Sequence, residues 1–289
     1  MTENSNKFLD PKWGESSPFH EPALLAGFKA RATDVLITTP PKAGTTWMQQ
    51  ILHQMRTKGD DTFSNIYDVV PWLEFPRGDI SLTEQLNLHE SLAAPRIFKT
   101  HCTYEQTPGV ATVRIVLSSR DPRDCCISFY HHLLGMTNEV RRARNMSAVE
   151  SFDVFFERWL DFGAWFRNIQ SWWPHKDQAN VLWLRYEDMK ADLPAVIDQL
   201  SSFLQWPLSV EEKIKVVEHS TFEWMKENAQ RFTTMAGQDK THFKKGAFIR
   251  KGVVGDYKEL LSKEQEARIM TKAQLMLTED CLGFLGLKP

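Results

Sequence analysis

The stretch "PPKAGTTW", residues 40–47, joins an apolar run at 35–39, "VLITT", to an apolar-periodic run at 47–55, "WMQQILHQM". This order predicts a buried strand, a glycine turn and an amphipathic helix. Gly44 lets the backbone approach a ligand closely, while Thr45, Thr46 and the free amides at the helix start can donate hydrogen bonds. The positive end of the helix dipole also favours an anion here. The stretch therefore predicts a loop that holds a phosphate-like group.

The spelling of this loop differs from that of the common ATP and GTP loop, G-x-x-x-x-G-K-S/T, in which the lysine follows the glycine. Here Lys42 precedes Gly44, and the first glycine is missing. The lysine would reach the terminal group of a ligand from the other side, which disfavours an ordinary kinase or ATPase. A proline-containing turn with an exposed lysine is the alternative that the stretch leaves open on its own.

Four short runs have the composition of strands: 34–39, 96–100, 114–119 and 181–185. They are apolar nearly throughout, which is typical of strands buried on both faces of a parallel sheet. Helical patterns lie between and after them. We therefore predict one α/β domain over 1–289, with a mostly parallel central sheet flanked by helices and with 1–18 as a flexible N-terminal segment.

Several helix starts can be read from the sequence. Asp192 can cap a helix with a proline in its first turn. The pairs Ser209 with Glu212, and Ser262 with Gln265, have the form of a capping box.

Bulk properties exclude some classes of function. The chain has 289 residues, 42% of them hydrophobic, and a formal net charge of -2. This balance gives no general basic field for nucleic acid. The four cysteines lack metal-ligand spacing, and no run is a secretory signal or reaches the length of a membrane span. We expect reduced cysteines and a soluble, cytoplasmic protein without nucleic-acid or membrane partners.

Basic residues collect after the predicted strands. Lys42 follows the first strand, Lys99 and His101 end the second, and Arg120 and Arg123 follow the third. Ligands of such sheets bind at the carboxyl ends of the strands. Three of the four strands thus bring cations to one edge of the sheet, which predicts an anionic ligand there.

The segment "FIRKGVVGDYK", 248–258, adds Arg250 and Lys251 beside two glycines. A basic pair before a glycine-rich bend can enclose a phosphate. An exposed basic turn explains the segment equally well.

Together these segments resemble one family, the cytosolic sulfotransferases that use 3′-phosphoadenosine 5′-phosphosulfate (PAPS). "PPKAGTTW" is similar to the family's phosphosulfate loop, Y-P-K-S-G-T-T-W, and "RDPRDCCISFYHH", 120–132, to its 3′-phosphate segment. "FIRKGVVGDYK" is similar to the signature R-K-G-x-x-G-D-W-K. "KTH", "FGAWFRNIQSWW" and "RYEDM" also occur in the family's order. The resemblance extends over roughly 19–284.

The resemblance implies a role for each matching residue. His101 would be the general base, Lys42 would stabilise charge on the leaving phosphate, and Lys99 would stabilise the sulfuryl group in transfer. The residues expected to bind PAPS, and its product adenosine 3′,5′-bisphosphate (PAP), are Lys42, Ala43, Gly44, Thr45, Thr46, Trp47, Arg120, Ser128, Tyr186, Ser220, Thr221, Phe222, Phe248, Ile249, Arg250, Lys251 and Gly252. Among them, Trp47 and Phe222 would enclose the adenine, and Arg120, Ser128, Arg250, Lys251 and Gly252 would hold the 3′-phosphate.

No metal is expected. A sulfuryl group carries less charge than a phosphoryl group, so lysines and amides can replace Mg²⁺, and the sequence shows no carboxylate cluster that requires a metal. Two other functions stay open at this point: a P-loop kinase, and a catalytically silent nucleotide-binding module.

The acceptor is expected to be a small hydrophobic alcohol, phenol, sterol or amine. Aromatic residues at family-like loop positions are the candidates for the wall of its pocket. They are Phe19, Trp72, Phe75, His132, Phe152, Phe155, Trp159 and Phe243. In catalysis, we expect His131, His132 and His219 to have only structural roles.

Two departures from the family pattern stand out. Ala43 replaces a serine whose hydroxyl modulates the lysine in the family. The family's dimer motif, K-x-x-x-T-V-x-x-x-E, would start at Lys258, where Ser262, Lys263 and Ala267 occupy its other places. A charged Lys263 at an apolar contact predicts a monomer, or a dimer that forms in another way.

Overall fold

A computed structural model describes residues 14–144, 146, 149, 151–233 and 242–287. Four strands form one sheet: β1 (Val35–Thr38), β2 (Ile97–Thr100), β3 (Arg114–Ser119) and β4 (Val181–Arg185). Their order is β2-β1-β3-β4, and every neighbouring pair is parallel. Each lies within one residue of a predicted strand, so the predicted α/β class with a parallel central sheet is confirmed.

Helices precede, connect and follow the strands. Their bounds are α1 (Pro22–Gly27), α2 (Thr45–Arg56), α3 (Ile66–Val69), α4 (Leu82–Ser91), α5 (Pro122–Gly135), α6 (Asn138–Ala143), α7 (Phe152–Phe162), α8 (Ala164–Trp172), α9 (Tyr186–Ala191), α10 (Leu193–Leu204), α11 (Val210–Glu218), α12 (Phe222–Glu227), α13 (Gln230–Thr233), α14 (Lys263–Met276) and α15 (Glu279–Phe284). Two short 3₁₀ helices span Trp173–His175 and Asp256–Glu259. Within the described ranges, no helix combines the length and the apolar character needed to cross a bilayer.

The predicted caps are present. The Asp192 carboxylate accepts a hydrogen bond from the Ala195 amide at the start of α10. Complete capping boxes begin α11 at Ser209 and α14 at Ser262. Each satisfies amides that have no partner within the helix.

The core has two parts. One is built on Leu36, Phe98 and Leu117, and the other on Val35, Ile37 and Val116, so alternate residues of the strands face opposite sides of the sheet. All four cysteines are buried and unpaired. Of the segment 1–18, residues 1–13 lie outside the described part of the chain. The Ser17 amide donates to the His20 carbonyl in a turn.

Candidate active site

A cavity of about 550 Å³ lies at the carboxyl ends of the strands. The parallel order brings the residues after β1, β2, β3 and β4 to this one edge. Lys42, Lys99, His101, Arg120 and Tyr186 all line the cavity, as the reasoning from strand ends predicts.

The loop between β1 and α2 wraps one wall of the cavity. Gly44 has φ 92°, and a Cβ there would lie 3.0 Å from Tyr186 Cδ2, so glycine fits where another side chain would be strained. Lys42 also has a left-handed φ of 71°. The Ser118 hydroxyl donates to the Ala43 carbonyl at 2.7 Å. This hydrogen bond ties the loop to β3 and keeps the loop amides at the start of α2.

Two aromatic side chains beside this loop, Trp47 and Phe222, line the cavity. The indole of Trp47 donates to the Ser220 carbonyl at 2.7 Å, which fixes its orientation. Lys190 Nζ lies 5.9 Å from the centroid of the Trp47 ring and 5.6 Å from that of Phe222, so the ammonium makes a cation–π contact with both rings. Gly252 leaves room for Phe222, because a Cβ would come within 2.6 Å of the ring.

Three cations form what we call the phosphate end of the cavity: Arg120, Arg250 and Lys251. Arg250 and Lys251 both form ion pairs with the buried Asp256, the second at 2.9 Å. Arg120 Nη2 lies 3.4 Å from Asp124 Oδ2. The buried Arg120 Nε has no hydrogen-bond partner in the described part of the chain. An unsatisfied guanidinium nitrogen at a cavity wall suits an anionic ligand.

Four residues form a second group, the transfer centre: Lys42, Lys99, His101 and His132. The Nδ1 of His101 lies 2.8 Å from the Thr39 carbonyl oxygen, which can only accept, so this nitrogen carries the proton. In the neutral ring, Nε2 is then the unprotonated nitrogen. The backbone amide of His101 donates a hydrogen bond to the Glu74 carboxylate at 3.0 Å. The histidine is fixed in the tautomer that a general base needs.

Burial shapes the charges of this group. It lowers the pKa of Lys42 to about 8, with Arg120 adding to the effect, and the pKa of Lys99 to about 7. Lys99 Nζ lies 4.0 Å from the centroid of the Trp72 ring, a cation–π contact. Burial, together with the Lys99 charge, lowers the pKa of His101 to about 3. The imidazole is therefore neutral at neutral pH.

His132 lies in the cavity, and its Nδ1 is 3.1 Å from Lys42 Nζ. Burial is the main cause that lowers the pKa of His132, with Lys42 and Lys99 adding to it. The ring packs on Phe243 and Phe248, at centroid distances of 4.7 and 5.8 Å. Its position agrees with the expected pocket wall, and it contacts Lys42, one of the predicted catalytic residues.

Most of the predicted site residues line this cavity. The exceptions on the nucleotide side are Ala43, Ser220 and Thr221. Ala43 and Ser220 are fully buried next to the lining residues, and Thr221 caps α12. Each remains close to the cavity through the backbone of its neighbours.

Three predicted acceptor residues lie elsewhere. Phe155 belongs to the core cluster on the Leu36 side of the sheet, and Phe152 and Trp159 pack against that cluster. The helix α7 presents this face to α5, with the Tyr130 and Phe155 rings 5.2 Å apart. The expected pocket wall is therefore corrected at these residues, since aromatic character alone does not separate a core helix from a pocket.

The sequence reasoning missed several lining residues: Tyr67, Phe129, Leu133, Met136, Val140, Arg144, Met146, Phe162, Lys190, Met225, His242, Val253 and Asp256. Helical spacing could have found part of this set. On α5, Ser128 lies one turn from His132, and Phe129 lies one turn from Leu133. A site assigned to Ser128 therefore implies that these neighbours on the same face also belong to it.

In the described ranges, no group of three or more histidine, cysteine or acidic side chains is arranged to hold a metal ion. The cavity joins two groups of cations with the aromatic rings of Trp47 and Phe222 and with further apolar side chains. Such an arrangement can bind a nucleotide with two anionic groups and bring a second, apolar molecule to one of them.

Comparison with known proteins agrees with this geometry. The family model described as a sulfotransferase domain matches residues 32–276. The rabbit (Oryctolagus cuniculus) amine sulfotransferase is 35% identical over 260 residues, covering 84% of this chain and 80% of that protein. Mouse (Mus musculus) sulfotransferase 1E1 is 31% identical, covering 80% and 79%.

Solved structures are also similar. Mouse sulfotransferase SULT7A1 complexed with PAP is 25% identical, with a TM-score of 0.68 and 91% of each chain covered. Retinol dehydratase in complex with androsterone and PAP, at 21% identity and a TM-score of 0.66, shares the fold and covers all of this chain and 96% of that one. The family model matches well over half of the chain, and the curated relatives exceed 30% identity over most of it. On this evidence the chain belongs to the sulfotransferase family and is a sulfotransferase.

Proposed function

We propose that the chain transfers the sulfuryl group of PAPS to a hydroxyl or neutral amine of a small hydrophobic acceptor, with His101 as the general base. The observation that carries this proposal is the fixed tautomer of His101 beside the buried Lys99 and the half-buried Lys42. When bound, PAPS supplies the sulfuryl group and leaves as PAP.

The residues fit this nucleotide. The amides and hydroxyls of 43–46 and the Lys42 ammonium can hold the 5′-phosphosulfate. The rings of Trp47 and Phe222, which line the cavity, suit the adenine. The unsatisfied Nε of Arg120, with Arg250 and Lys251, suits the 3′-phosphate.

Each catalytic side chain then has a definite task. His101 Nε2 accepts the proton of the acceptor hydroxyl as the acceptor oxygen bonds to sulfur and the bond from sulfur to the 5′-phosphate oxygen breaks. Lys42 stabilises the charge that develops on the leaving phosphate, and Lys99 stabilises the oxygens of the sulfuryl group. Bound anions raise the pKa of His101 above its value in the ligand-free cavity, which improves it as a base.

The same lysines supply the positive charge that Mg²⁺ gives in phosphoryl transfer. We expect EDTA to leave the rate nearly unchanged. A strict requirement for a divalent cation would contradict this part of the proposal and favour a kinase.

The charges of the cavity limit the class of acceptor. Among its described lining residues, Asp256 is the one carboxylate, and Arg250 and Lys251 already pair with it. The Glu74 carboxylate accepts a hydrogen bond from the His101 amide and acts on the charge of Lys99, but it is not among the described lining residues. The charged residues that line the acceptor side are positive: Lys42, Lys99 and Arg144. Burying an ammonium beside them without a counterion is costly. Acceptors should therefore be neutral at the working pH: phenols, alcohols and weakly basic aryl amines.

The test is a panel of acceptors with sulfur-labelled PAPS. Three probes of similar shape separate the classes: 2-naphthol, 2-naphthylamine and 2-naphthylmethylamine, which is protonated at neutral pH. We expect label in the products of the first two and little in the third, with the third gaining relative to the first two as the pH rises. No labelled product from any phenol, alcohol, sterol or amine would contradict the proposed function. Efficient use of the protonated amine at pH 7 would contradict only the charge argument.

The oligomeric state is also a proposal. Lys263 begins α14 with its side chain 91% exposed and pairs with Glu266 of the same helix at 3.0 Å. We propose a monomer, or a dimer that does not use the segment from Lys258 to Ala267. Light scattering should give a mass that Lys258→Ala leaves unchanged. A dimer that this substitution dissociates would overturn the proposal.

A further inference from the structure

We propose that His132 is a positioning residue for Lys42: its neutral Nδ1 accepts a hydrogen bond from the Lys42 ammonium and holds that charge at the transfer centre. This inference rests on the proposed function, since Lys42 matters only if it stabilises the leaving phosphate.

The contact joins two separate elements. Lys42 lies in the loop before α2 and has a left-handed backbone, whereas His132 lies in the last turn of α5. Their nitrogens are 3.1 Å apart, a normal hydrogen-bond distance. A lysine ammonium can only donate. The imidazole must therefore accept through an unprotonated Nδ1.

His132 is itself held in place. Its ring packs against Phe243, Phe248 and Phe129, at centroid distances of 4.7, 5.8 and 6.2 Å. The Lys42 ammonium also lies 5.5 Å from the centroid of the Phe248 ring. A histidine fixed on three sides can set the position of a long, flexible lysine side chain.

Among the hydrogen bonds of the described residues, no side chain of the loop accepts from Lys42. Ala43 carries only a methyl group, Ser118 Oγ donates to the Ala43 carbonyl, and Thr45 is hydrogen-bonded to Thr39 at 2.5 Å. In the described part of the chain, His132 is the side chain that hydrogen-bonds the ammonium. The acceptor is thus supplied from α5 rather than from the loop.

The positive charges near Lys42 and His132 disfavour a proton on both side chains. Lys42 and Lys99 face His132, and Arg120 and Arg250 face Lys42. The two lysine charges disfavour a proton on His132, which keeps Nδ1 available as an acceptor. The two arginine charges disfavour the ammonium form of Lys42, whereas the hydrogen bond from Lys42 to His132 favours that form. Loss of that bond should therefore release a proton from Lys42 more easily.

The test compares variants of His132. His132→Phe keeps an aromatic ring among its neighbours but has no acceptor, whereas His132→Gln keeps an acceptor oxygen. His131→Phe is the matched control, because His131 is on the same helix and is not among the described residues that line the cavity. Should the Phe variant not fold, His132→Leu replaces it.

Turnover at saturating PAPS should fall by about 10- to 100-fold in His132→Phe, since a misplaced catalytic group is costly. Its affinity for PAP should change little. The alkaline limb of kcat should move to lower pH. His132→Gln should recover most of the rate and of the alkaline limb, and His131→Phe should resemble the unchanged protein.

A second readout does not depend on activity. Competitive acetylation followed by mass spectrometry gives the pKa of Lys42 in each variant, and we expect a lower value in His132→Phe than in His132→Gln. Equal kcat and equal Lys42 pKa in the Phe, Gln and unchanged proteins would overturn the inference. If the unchanged protein transfers no sulfuryl group, the proposed function fails, while a lowered Lys42 pKa would still show the contact.

Discussion

The phosphate end and the transfer centre are both rich in cations, but their surroundings differ. At the phosphate end, Arg250 and Lys251 pair with Asp256, and ion pairing with Glu259 and Asp256 raises the pKa of Lys251. At the transfer centre, burial lowers the pKa of Lys42 and Lys99. Paired cations keep their charge whether or not a ligand is present. Buried, unpaired ones gain most when negative charge arrives.

This difference suggests a division of tasks. The phosphate end holds a group that does not react, and its charges need only bind. The transfer centre must favour a distribution of charge that exists only during the reaction, and catalysis depends on such differential stabilisation. Substitutions at the two groups should therefore change different kinetic constants.

The largest effect should come from His101→Ala. Loss of a general base lowers kcat by about 10²- to 10⁴-fold. PAP binding, measured by calorimetry, should be nearly intact because the ring faces the acceptor oxygen. His131→Ala serves as the control histidine. Loss of PAP binding in His101→Ala would instead assign His101 to nucleotide binding.

A smaller and different effect is expected for Arg250→Ala. A charge-assisted hydrogen bond to phosphate is worth about 1.5–3 kcal/mol, so the Kd for PAP and the KM for PAPS should each rise about 10- to 100-fold. The kcat at saturating PAPS should change little. Arg268→Ala, which removes a surface ion pair with Glu157, is the control. A fall in kcat with unchanged KM would remove the distinction between the two groups.

The smallest expected effect is on the pH profile of the unchanged protein. Lys99 and Lys42, with pKa values of about 7 and about 8, must be charged to stabilise the negative charge that develops during transfer. As pH rises through these values the charge is lost, so kcat/KM for PAPS should decline on an alkaline limb. His101, with a pKa of about 3, adds no acid limb above about pH 5. A profile still rising at pH 9 would show that these ammonium charges do not matter.

Much of the nucleotide side could be predicted from the sequence because its parts follow strand ends within a few residues. Placing Lys42, Lys99 and Arg120 in the site required only the assumption that parallel strands end at one edge of the sheet. The position of the segment around Arg250 could be predicted only from the family resemblance, because no local sequence pattern places that segment beside β3.

The acceptor side could not be predicted as well. Its wall combines α5, the segment around Trp72 and the residues near Phe243, which are brought together only by tertiary packing. Phe155 and Trp159 are aromatic, as pocket residues often are, yet on α7 they pack into or against the core. The contact of His132 with Lys42 depends on the angle at which α5 meets the loop, and sequence periodicity does not give that angle.

The most direct test of the division of tasks is Lys42→Met, which keeps the length of the side chain and removes its charge. We expect the single-turnover rate with saturating labelled PAPS to fall about 10²- to 10³-fold, as for loss of one preorganised donor, while the affinity for PAP falls far less than in Arg250→Ala. A Lys42→Met variant that loses PAP affinity as severely as Arg250→Ala but keeps its single-turnover rate would show that Lys42 binds the nucleotide rather than assisting the transfer.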